Sequence, residues 1–364
     1  MTNRQIMILI PLFLMGGAFL QVPNFTAAMA EQDAWLVAVL GCVVAVAAGF
    51  LYGEICENNQ GKNFLQIVES RWGVWAGRIL GVMYVIYFFT TCALLLNFLS
   101  YFLKIILLRN TPLIALGLLF MFLICYAHRL GVTAVARTGE ILFWMVIAAV
   151  IIFIIGLMPS MDPEQLLPTG FIDKRAIYQG LFNYAGYPLL EVAAFMFFAQ
   201  HFDRPRARSF AKGMLIGSFI LLIFIVAALL VYGPINTKHN AYATYSLVDR
   251  WGIGLKTFRV EALLSTVWLS GFFIKLTLLF EACSNSLAYV CRIAENRWLT
   301  APTAALILFG VANLQDDVVV QGFQTTELWP VLAFVMGLLI PFALWVSQRP
   351  QRKKKVPKAV NRQT

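Results

Sequence analysis

A lysine within an apolar segment is the most informative charged residue of this sequence. Lys275 lies deep in the apolar run 259–282. Gly271 and Trp268 precede it by one and two helical turns, so all three share one helix face. A charge at that depth of a bilayer costs about 2.5–3.5 kcal/mol, so Lys275 is expected to face protein rather than lipid. It marks a functional site, neutralises a buried acid such as Glu191, or extends to the membrane surface.

Two further apolar segments carry residues that interrupt a helix in their middle. The first, 6–30, contains Gly16 and Gly17, and the sixth, 177–200, contains the run Asn183-Tyr184-Ala185-Gly186-Tyr187-Pro188. Glycine lacks the side chain that favours the helical conformation, and proline removes a backbone donor and clashes one turn back. Unwound backbone is tolerated at membrane depth only where it lines a protein cavity. Two such breaks at corresponding positions predict a transporter-type binding site.

An amino acid is the ligand that these breaks would suit. Free N–H groups near Ala18 and Phe19 would receive its carboxylate, and free carbonyls in 183–186 would receive its ammonium. Glu191 is predicted either to cap the half-helix that follows or to pair with Lys275. The predicted ligand-binding residues are Gly16, Gly17, Ala18, Phe19, Tyr184, Ala185, Gly186, Tyr187 and Leu189. Those expected to select the ligand side chain are Phe19, Tyr184, Tyr187 and Leu189.

The composition indicates that lipid surrounds most of the chain. Of 364 residues, 60% are apolar and 13% are charged, and the mean hydropathy is +0.77. Soluble domains are roughly 45–50% apolar and about 25% charged. A soluble enzyme, a nucleic-acid-binding protein and a disordered chain are therefore excluded. The predicted fold is all-α and integral to the membrane, with ten spans at 6–30, 34–55, 76–104, 111–127, 132–158, 177–200, 210–232, 259–282, 300–315 and 328–347.

The ten spans are predicted to form one transmembrane domain, residues 1–348, followed by a basic cytoplasmic tail, 349–364. The domain divides into halves 1–158 and 170–347, and an odd number of spans in each half inverts the second relative to the first. The prediction is therefore two inverted five-helix repeats with helices 1 and 6 broken.

The charges predict the orientation in the membrane. Lys and Arg are concentrated in the connections that share a side with the tail, which places both termini inside. Span 300–315 is the shortest, and without it the termini would lie on opposite sides. The first apolar segment is predicted to remain uncleaved.

Three connecting regions have predicted roles of their own. The tail holds 7 of the 28 Lys and Arg and no acid, so it would bind anionic lipid of the inner leaflet or only fix the topology. Connection 56–75 contains an amphipathic stretch, KNFLQIVESRWG, expected along the inner surface. Connection 233–258 is either a cap over the binding site or simply a structured loop.

Catalytic and metal-binding patterns are missing from the sequence. The three histidines are far apart, and the six cysteines form no CxxC pair, so we expect neither an enzyme, a metal nor a cofactor. Glu281, near the predicted end of a span, is expected to be wetted by solvent. Trp329 is expected at the membrane interface.

Several motifs resemble the spore-germination permease family. In residues 110–138 a Thr-Pro pair is followed by a tyrosine and by R-x-G-x-x-x-x-A-R, as in the family. Gly186-Tyr187-Pro188 resembles the Gly-x-Pro pattern of the sixth span. Asp33-Ala34-Trp35 and the stretch from Arg259 to Lys275 are also similar to the family. The resemblance covers most of residues 5–347, and the order and spacing of the motifs are its specific part.

The resemblance implies a fold and a function. The family belongs to the amino acid–polyamine–organocation transporter superfamily, and its members are B subunits of nutrient-germinant receptors in the spore inner membrane. Implied partners are a small germinant, expected to be an amino acid, an A-type membrane subunit and a C-type lipoprotein subunit. The eighth span would pack beside the first break, where sodium-coupled members hold a cation, and Lys275 could replace that ion and respond to protons. A free-standing proton-coupled amino acid permease is the alternative, because both functions use the same fold.

Overall fold

The structure is helical throughout the part of the chain that it describes. It is a computed structural model and describes residues 1–167, 173–240, 242–251, 260–313 and 328–348, in which no strand occurs. The helices are α1 (Asn3–Ala30), α2 (Ala34–Asn58), α3 (Phe64–Trp72), α4 (Val74–Phe102), α5 (Leu113–Leu130), α6 (Val132–Leu157), α7 (Lys174–Tyr184), α8 (Ala207–His239), α9 (Ala243–Ser246), α10 (Val260–Cys291), α11 (Thr300–Asn313), α12 (Trp329–Ala333) and α13 (Ile340–Ser347). α7 continues through a π-helical turn, Ala185–Leu189, into a 3₁₀-helical segment, Leu190–His201. Two other π-helical segments are Leu103–Leu107, which follows α4, and Phe334–Leu339, which joins α12 to α13.

The predicted all-α membrane fold is confirmed. Within the described ranges, 8 helical stretches are long and apolar enough to cross a membrane. They correspond to nine of the ten predicted spans, because α1 and α2 follow each other so closely that they form one stretch, Asn3–Asn58. The remaining span, 300–315, is represented by α11, whose 14 residues are fewer than the about 20 that a spanning helix needs. Residues 314–315 and the tail, 349–364, lie outside the described residues.

α1 forms the centre of the fold. Every residue from Ile8 to Leu20 is buried, as expected for a helix that is apolar on all sides and enclosed by protein. α1 packs along α8 and α10. Its distance from α8 is short because Gly217 has no side chain: a Cβ there would lie 2.9 Å from the Pro11 Cα. Small residues allow this close backbone contact between membrane helices.

The amphipathic stretch in connection 56–75 forms α3. Asn63 caps the helix: its side chain accepts from the Gln66 N–H at 2.9 Å, and the Gln66 side chain accepts from the Asn63 N–H at 3.0 Å. The apolar face packs on α4 and on the Leu190–His201 segment, so protein rather than the membrane surface covers it. The buried residues of that face are Phe64, Leu65, Ile67 and Val68.

Candidate functional site

α1 is interrupted at Gly16 and Gly17, as the sequence predicts. Gly16 has φ −66° and ψ 110°, and Gly17 has φ 87° and ψ −52°, a conformation that favours glycine. α10 packs directly against this break. A Cβ on Gly16 would lie too close to the Gly271 carbonyl oxygen for a side chain to fit, and a Cβ on Gly271 would lie 3.0 Å from the Gly16 nitrogen. Backbone therefore meets backbone where α10 packs against the break.

The second interruption lies in the π-helical turn Ala185–Leu189. Tyr187 leaves the helical conformation, with φ −134° and ψ 114°, immediately before Pro188. The Tyr187 side chain reaches the first break, since its hydroxyl oxygen lies 2.5 Å from the position of a Cβ on Gly17. That hydroxyl is buried and has no hydrogen-bond partner among the described residues. The Tyr187 side chain thus bridges the interruption of α1 at Gly16 and Gly17 and the interruption in the Ala185–Leu189 turn.

A buried ion pair lies beside the joined breaks. Lys275 Nζ is 2.5 Å from Glu191 Oε2, and the two side chains are 0% and 1% exposed. The other carboxylate oxygen of Glu191, Oε1, accepts a hydrogen bond from Trp329 Nε1 at 3.0 Å. The Trp329 ring stacks on Tyr87, with centroids 5.2 Å apart and an interplanar angle of 8°. One carboxylate oxygen is therefore paired with the ammonium from α10, and the other accepts a hydrogen bond from α12.

Aromatic rings shield the ammonium of this pair from solvent. Lys275 Nζ lies 4.7 Å from the centroid of the Tyr187 ring and 5.3 Å from that of Phe13. Moving two ions out of water costs several kcal/mol each, and their mutual attraction recovers this cost only while both remain charged and in contact. The cation–π contacts add to the attraction. Removal of either partner would leave a buried charge without a counter-ion.

An aromatic cluster lies next to Gly17. Phe272 Cζ is 3.5 Å from the position of a Cβ on Gly17. Phe272 packs edge-on against Trp268 at 4.7 Å, and Trp268 packs against Phe102 at 4.2 Å. Trp268 Nε1 is buried without a hydrogen-bond partner in the described ranges. The cluster supplies an apolar surface with a free donor beside the break.

The structure brings some of the predicted ligand residues together and separates others. Gly16, Gly17, Tyr187, Lys275 and Glu191 converge, as described above. Ala18, Ala185 and Leu189 are buried within the two broken helices.

Three predicted ligand residues contact other helices instead. Phe19 packs against Phe224 of α8 at 4.4 Å. Tyr184 places its ring against Gly41 of α2. A Cβ on Gly186 would lie 2.7 Å from the Pro330 Cα of α12. The small size of Gly186, a predicted ligand-binding residue, is therefore explained by its packing against α12.

Two other expectations from the sequence were wrong. Glu281 is 4% exposed and bonded to His128, so solvent does not wet it. Trp329 is 5% exposed and belongs to the site rather than to the membrane interface.

Connection 233–258 reaches the first broken helix, because Thr244 Oγ1 donates to the Phe19 carbonyl oxygen at 2.6 Å. Neither Trp329 nor Thr244 had a sequence signal that placed it at the breaks.

Fold and site together define a membrane protein of the transporter type, in which two interrupted helices meet at a buried charged centre. A solved structure of Mhp1, a nucleobase-cation-symport-1 family transporter in a closed conformation with bromovinylhydantoin bound, has the same fold. The TM-score is 0.69 over 94% of this chain and 81% of that chain, at 13% sequence identity. At this identity the similarity concerns the fold alone.

The chain belongs to the spore germination protein family, whose family model matches residues 1–316. It is 23% identical to spore germination protein KB of Bacillus subtilis over 364 residues, covering 96% of each chain. It is 24% identical to spore germination protein B2 of the same organism over 366 residues, covering 97% of this chain and 96% of that one. The family resemblance found in the sequence motifs is confirmed.

Proposed function

We propose that this chain is the membrane subunit of a spore nutrient-germinant receptor. It binds a small germinant, an amino acid, where the two broken helices meet, and it passes the signal to partner subunits. The observation that carries the proposal is the contact of Tyr187 with Gly17 beside the Lys275–Glu191 ion pair. Family membership supports the role in germination.

The charges at the site suit a zwitterion. Lys275 and the N-terminal end of the half-helix that follows Gly17 favour a carboxylate, and Glu191 favours an ammonium. In the structure the two side chains neutralise each other. An amino acid entering between them would exchange one buried pair for two and would leave the net buried charge at zero. A ligand with only one charged group would leave one of the two side chains without a partner, at a cost of several kcal/mol.

Signalling would use the helices that hold this pair. A ligand that separates Lys275 from Glu191 moves α10 relative to the Leu190–His201 segment, and Trp329 couples that segment to α12. The proposed recipients are an A-type membrane subunit and a C-type lipoprotein subunit in the spore inner membrane. The tail, 349–364, would bind anionic lipid on the inner side, where both termini lie.

A receptor and a permease can be distinguished by comparing binding with uptake. The chain is placed in proteoliposomes with a proton gradient, and a mixture of radiolabelled protein amino acids is added. In this assay a receptor subunit should bind the labelled amino acid without accumulating it inside the liposomes. In a second assay, spores that lack their own receptors should germinate only when the chain is supplied together with A- and C-type subunits. Accumulation that requires the proton gradient, together with no germination response, would establish the permease instead. The Lys275→Met/Glu191→Gln double variant is the control for binding at this site.

The predicted topology can be tested with reporter fusions. Fusions after Lys212 and Arg297 should report the inner side, and a fusion after Asp317 should report the outer side. The tests on either side of α11 matter most, because α11 alone is too short to span a bilayer. An inner signal at Asp317 would remove the ninth span, and the two inverted five-helix halves with it.

A further inference from the structure

A second buried pair of titratable groups lies apart from the candidate site. His128 Nδ1 on α5 is 2.7 Å from Glu281 Oε2 on α10, and the two side chains are 0% and 5% exposed. Glu281 Oε1 accepts from the side-chain amides of Asn285 at 3.0 Å and Asn296 at 2.9 Å. The Phe280 ring covers the imidazole edge-on at 5.0 Å. Germinant binding as proposed above does not use any of these groups.

The hydrogen bonds around Glu281 indicate its charge state. An ionised carboxylate only accepts, so three surrounding donors fit an ionised Glu281 and a neutral His128 with its proton on Nδ1. The pair then carries a net charge of −1 in a buried position. His128 Nε2 is buried and has no partner in the described part of the chain. One proton added at Nε2 gives an imidazolium–carboxylate pair with no net charge.

A polar cavity brings water close to this pair. On the side of the domain where α1 begins, a cavity of about 780 Å³ lies between α3, α4 and the end of α10. Asn285 and Asn296, the two amides that donate to Glu281, are part of its wall. Charged side chains such as Glu69 and Arg78 line it as well, so it is expected to be filled by water. Asn285 and Asn296 therefore contact both Glu281 and the cavity.

We propose that His128 and Glu281 form a proton-binding site, separate from the Lys275–Glu191 pair, that exchanges protons with the water of this cavity. The proton comes from the aqueous phase and binds at His128 Nε2. Uptake strengthens the bond between α5 and α10, because the hydrogen bond that ionised Glu281 already accepts from His128 becomes an ion pair as well. α10 also carries Lys275 and packs on Gly16, so the proton acts on a helix of the candidate site.

In the described ranges, the His128–Glu281 pair is isolated from the other ionisable groups of the surrounding helices. The elements packed against α5 and α10 include α1, α4, α6, α11 and the Leu190–His201 segment. Within the described residues, His128 and Glu281 make no hydrogen bond or ion pair with any charged group that these elements or their connections carry. Those groups include Arg4, Arg78, Lys104, Arg109, Arg129, Arg137, Glu140, Glu191, His201, Lys275, Arg292, Glu295 and Arg297.

Histidine NMR on the full chain tests the proposal directly. The chain contains 3 histidines, so a sample in lipid nanodiscs with ¹⁵N-labelled histidine gives three sets of ring signals. Each set is assigned by its own His→Gln variant. Between pH 5 and 8 we expect the His128 signals to change from the neutral to the imidazolium pattern. In Glu281→Gln we expect the pH at which the His128 signals change to differ from that of the wild type, because the partner charge is gone.

His201→Gln is the matched control, since His201 also lines the cavity but lies outside the pair. It should leave the His128 titration unchanged. If Glu281→Gln fails to fold, Asn296→Ala provides the test, because it removes one donor from Glu281 and should still shift the midpoint. His128 signals that stay neutral across the whole range would overturn the proposal. The same conclusion would follow if the midpoint were identical in wild type and in the folded variants at positions 281 and 296. None of these measurements depends on germinant binding.

Discussion

Lys275→Met is expected to destabilise the folded chain by about 3–5 kcal/mol and to abolish the germination response. The substitution keeps most of the side-chain volume but leaves Glu191 as a buried charge without a counter-ion. Trp329 would still donate to one carboxylate oxygen, and a single neutral donor does not replace an ammonium at 2.5 Å. Thermal unfolding in detergent and the amount of protein in the membrane measure the first effect. The germinant concentration for half-maximal response measures the second.

The double variant Lys275→Met/Glu191→Gln separates stability from function. It removes both charges, so most of the lost stability should return. Trp329 can still donate to the amide oxygen at position 191. If the pair binds the germinant, the double variant accumulates normally and remains unresponsive.

Lys275→Arg supplies the complementary test. It keeps the charge, but a planar guanidinium replaces a compact ammonium that now lies between the rings of Tyr187 and Phe13. A purely structural pair should accept this change better than Lys275→Met, whereas a binding site for a small ligand should lose its response in both. Normal level and normal response in Lys275→Met would contradict both the ligand-binding role and the structural role of the pair.

The chemistry of the site could be predicted from residue type, because its rarest residues have few stable positions in a membrane. A lysine deep in an apolar run must find a counter-charge, and Glu191 was the acid next to a predicted break. The glycines at 16 and 17 and the proline at 188 marked where helices would be interrupted. These inferences use local sequence and the energetics of burial alone.

The direction of individual side chains could not be predicted in the same way. Helical periodicity fixes which residues share a face only while the helix continues, and at a break that relation is lost. Tyr184 and Gly186 therefore face α2 and α12, although both are close in sequence to Tyr187, which faces the first break. Trp329 and Glu281 were misplaced for another reason: packing between distant helices buries them, and sequence position near a span end carries no information about such packing.

Gly17→Ala is expected to raise the half-maximal germinant concentration by about tenfold or more while the protein still accumulates. Gly17 has φ +87° and ψ −52°, a sparsely populated region that costs an alanine on the order of 1–3 kcal/mol, and its new Cβ would lie 2.5 Å from the Tyr187 hydroxyl oxygen. Tyr187 must then move away from the first break. About 1.4 kcal/mol corresponds to a factor of ten in affinity, so the displacement of this one side chain is sufficient for the expected change.

Gly61→Ala is the matched control for backbone strain. Gly61 has a similar φ of +78°, but a Cβ there would have nothing within 4 Å, so its substitution should cost stability without affecting the response. Gly186→Ala controls for packing: its Cβ would press on Pro330, which should lower stability rather than change the germinant concentration required. Adding Tyr187→Phe to Gly17→Ala removes the hydroxyl that meets the new Cβ and should recover part of the response.

The comparison of these variants decides whether the contact between the two breaks belongs to binding or only to folding. A binding role requires that Gly17→Ala impair the response more than Gly61→Ala at equal protein level, and that Tyr187→Phe relieve the defect. Equal responses in the two alanine variants would show that strain at Gly17 is tolerated and that Tyr187 does not have to touch it. The ligand would then have to lie elsewhere along the broken helices. The aromatic cluster around Trp268 and Phe272 would be the next surface to test, because it borders the same glycine and carries a donor that has no partner among the described residues.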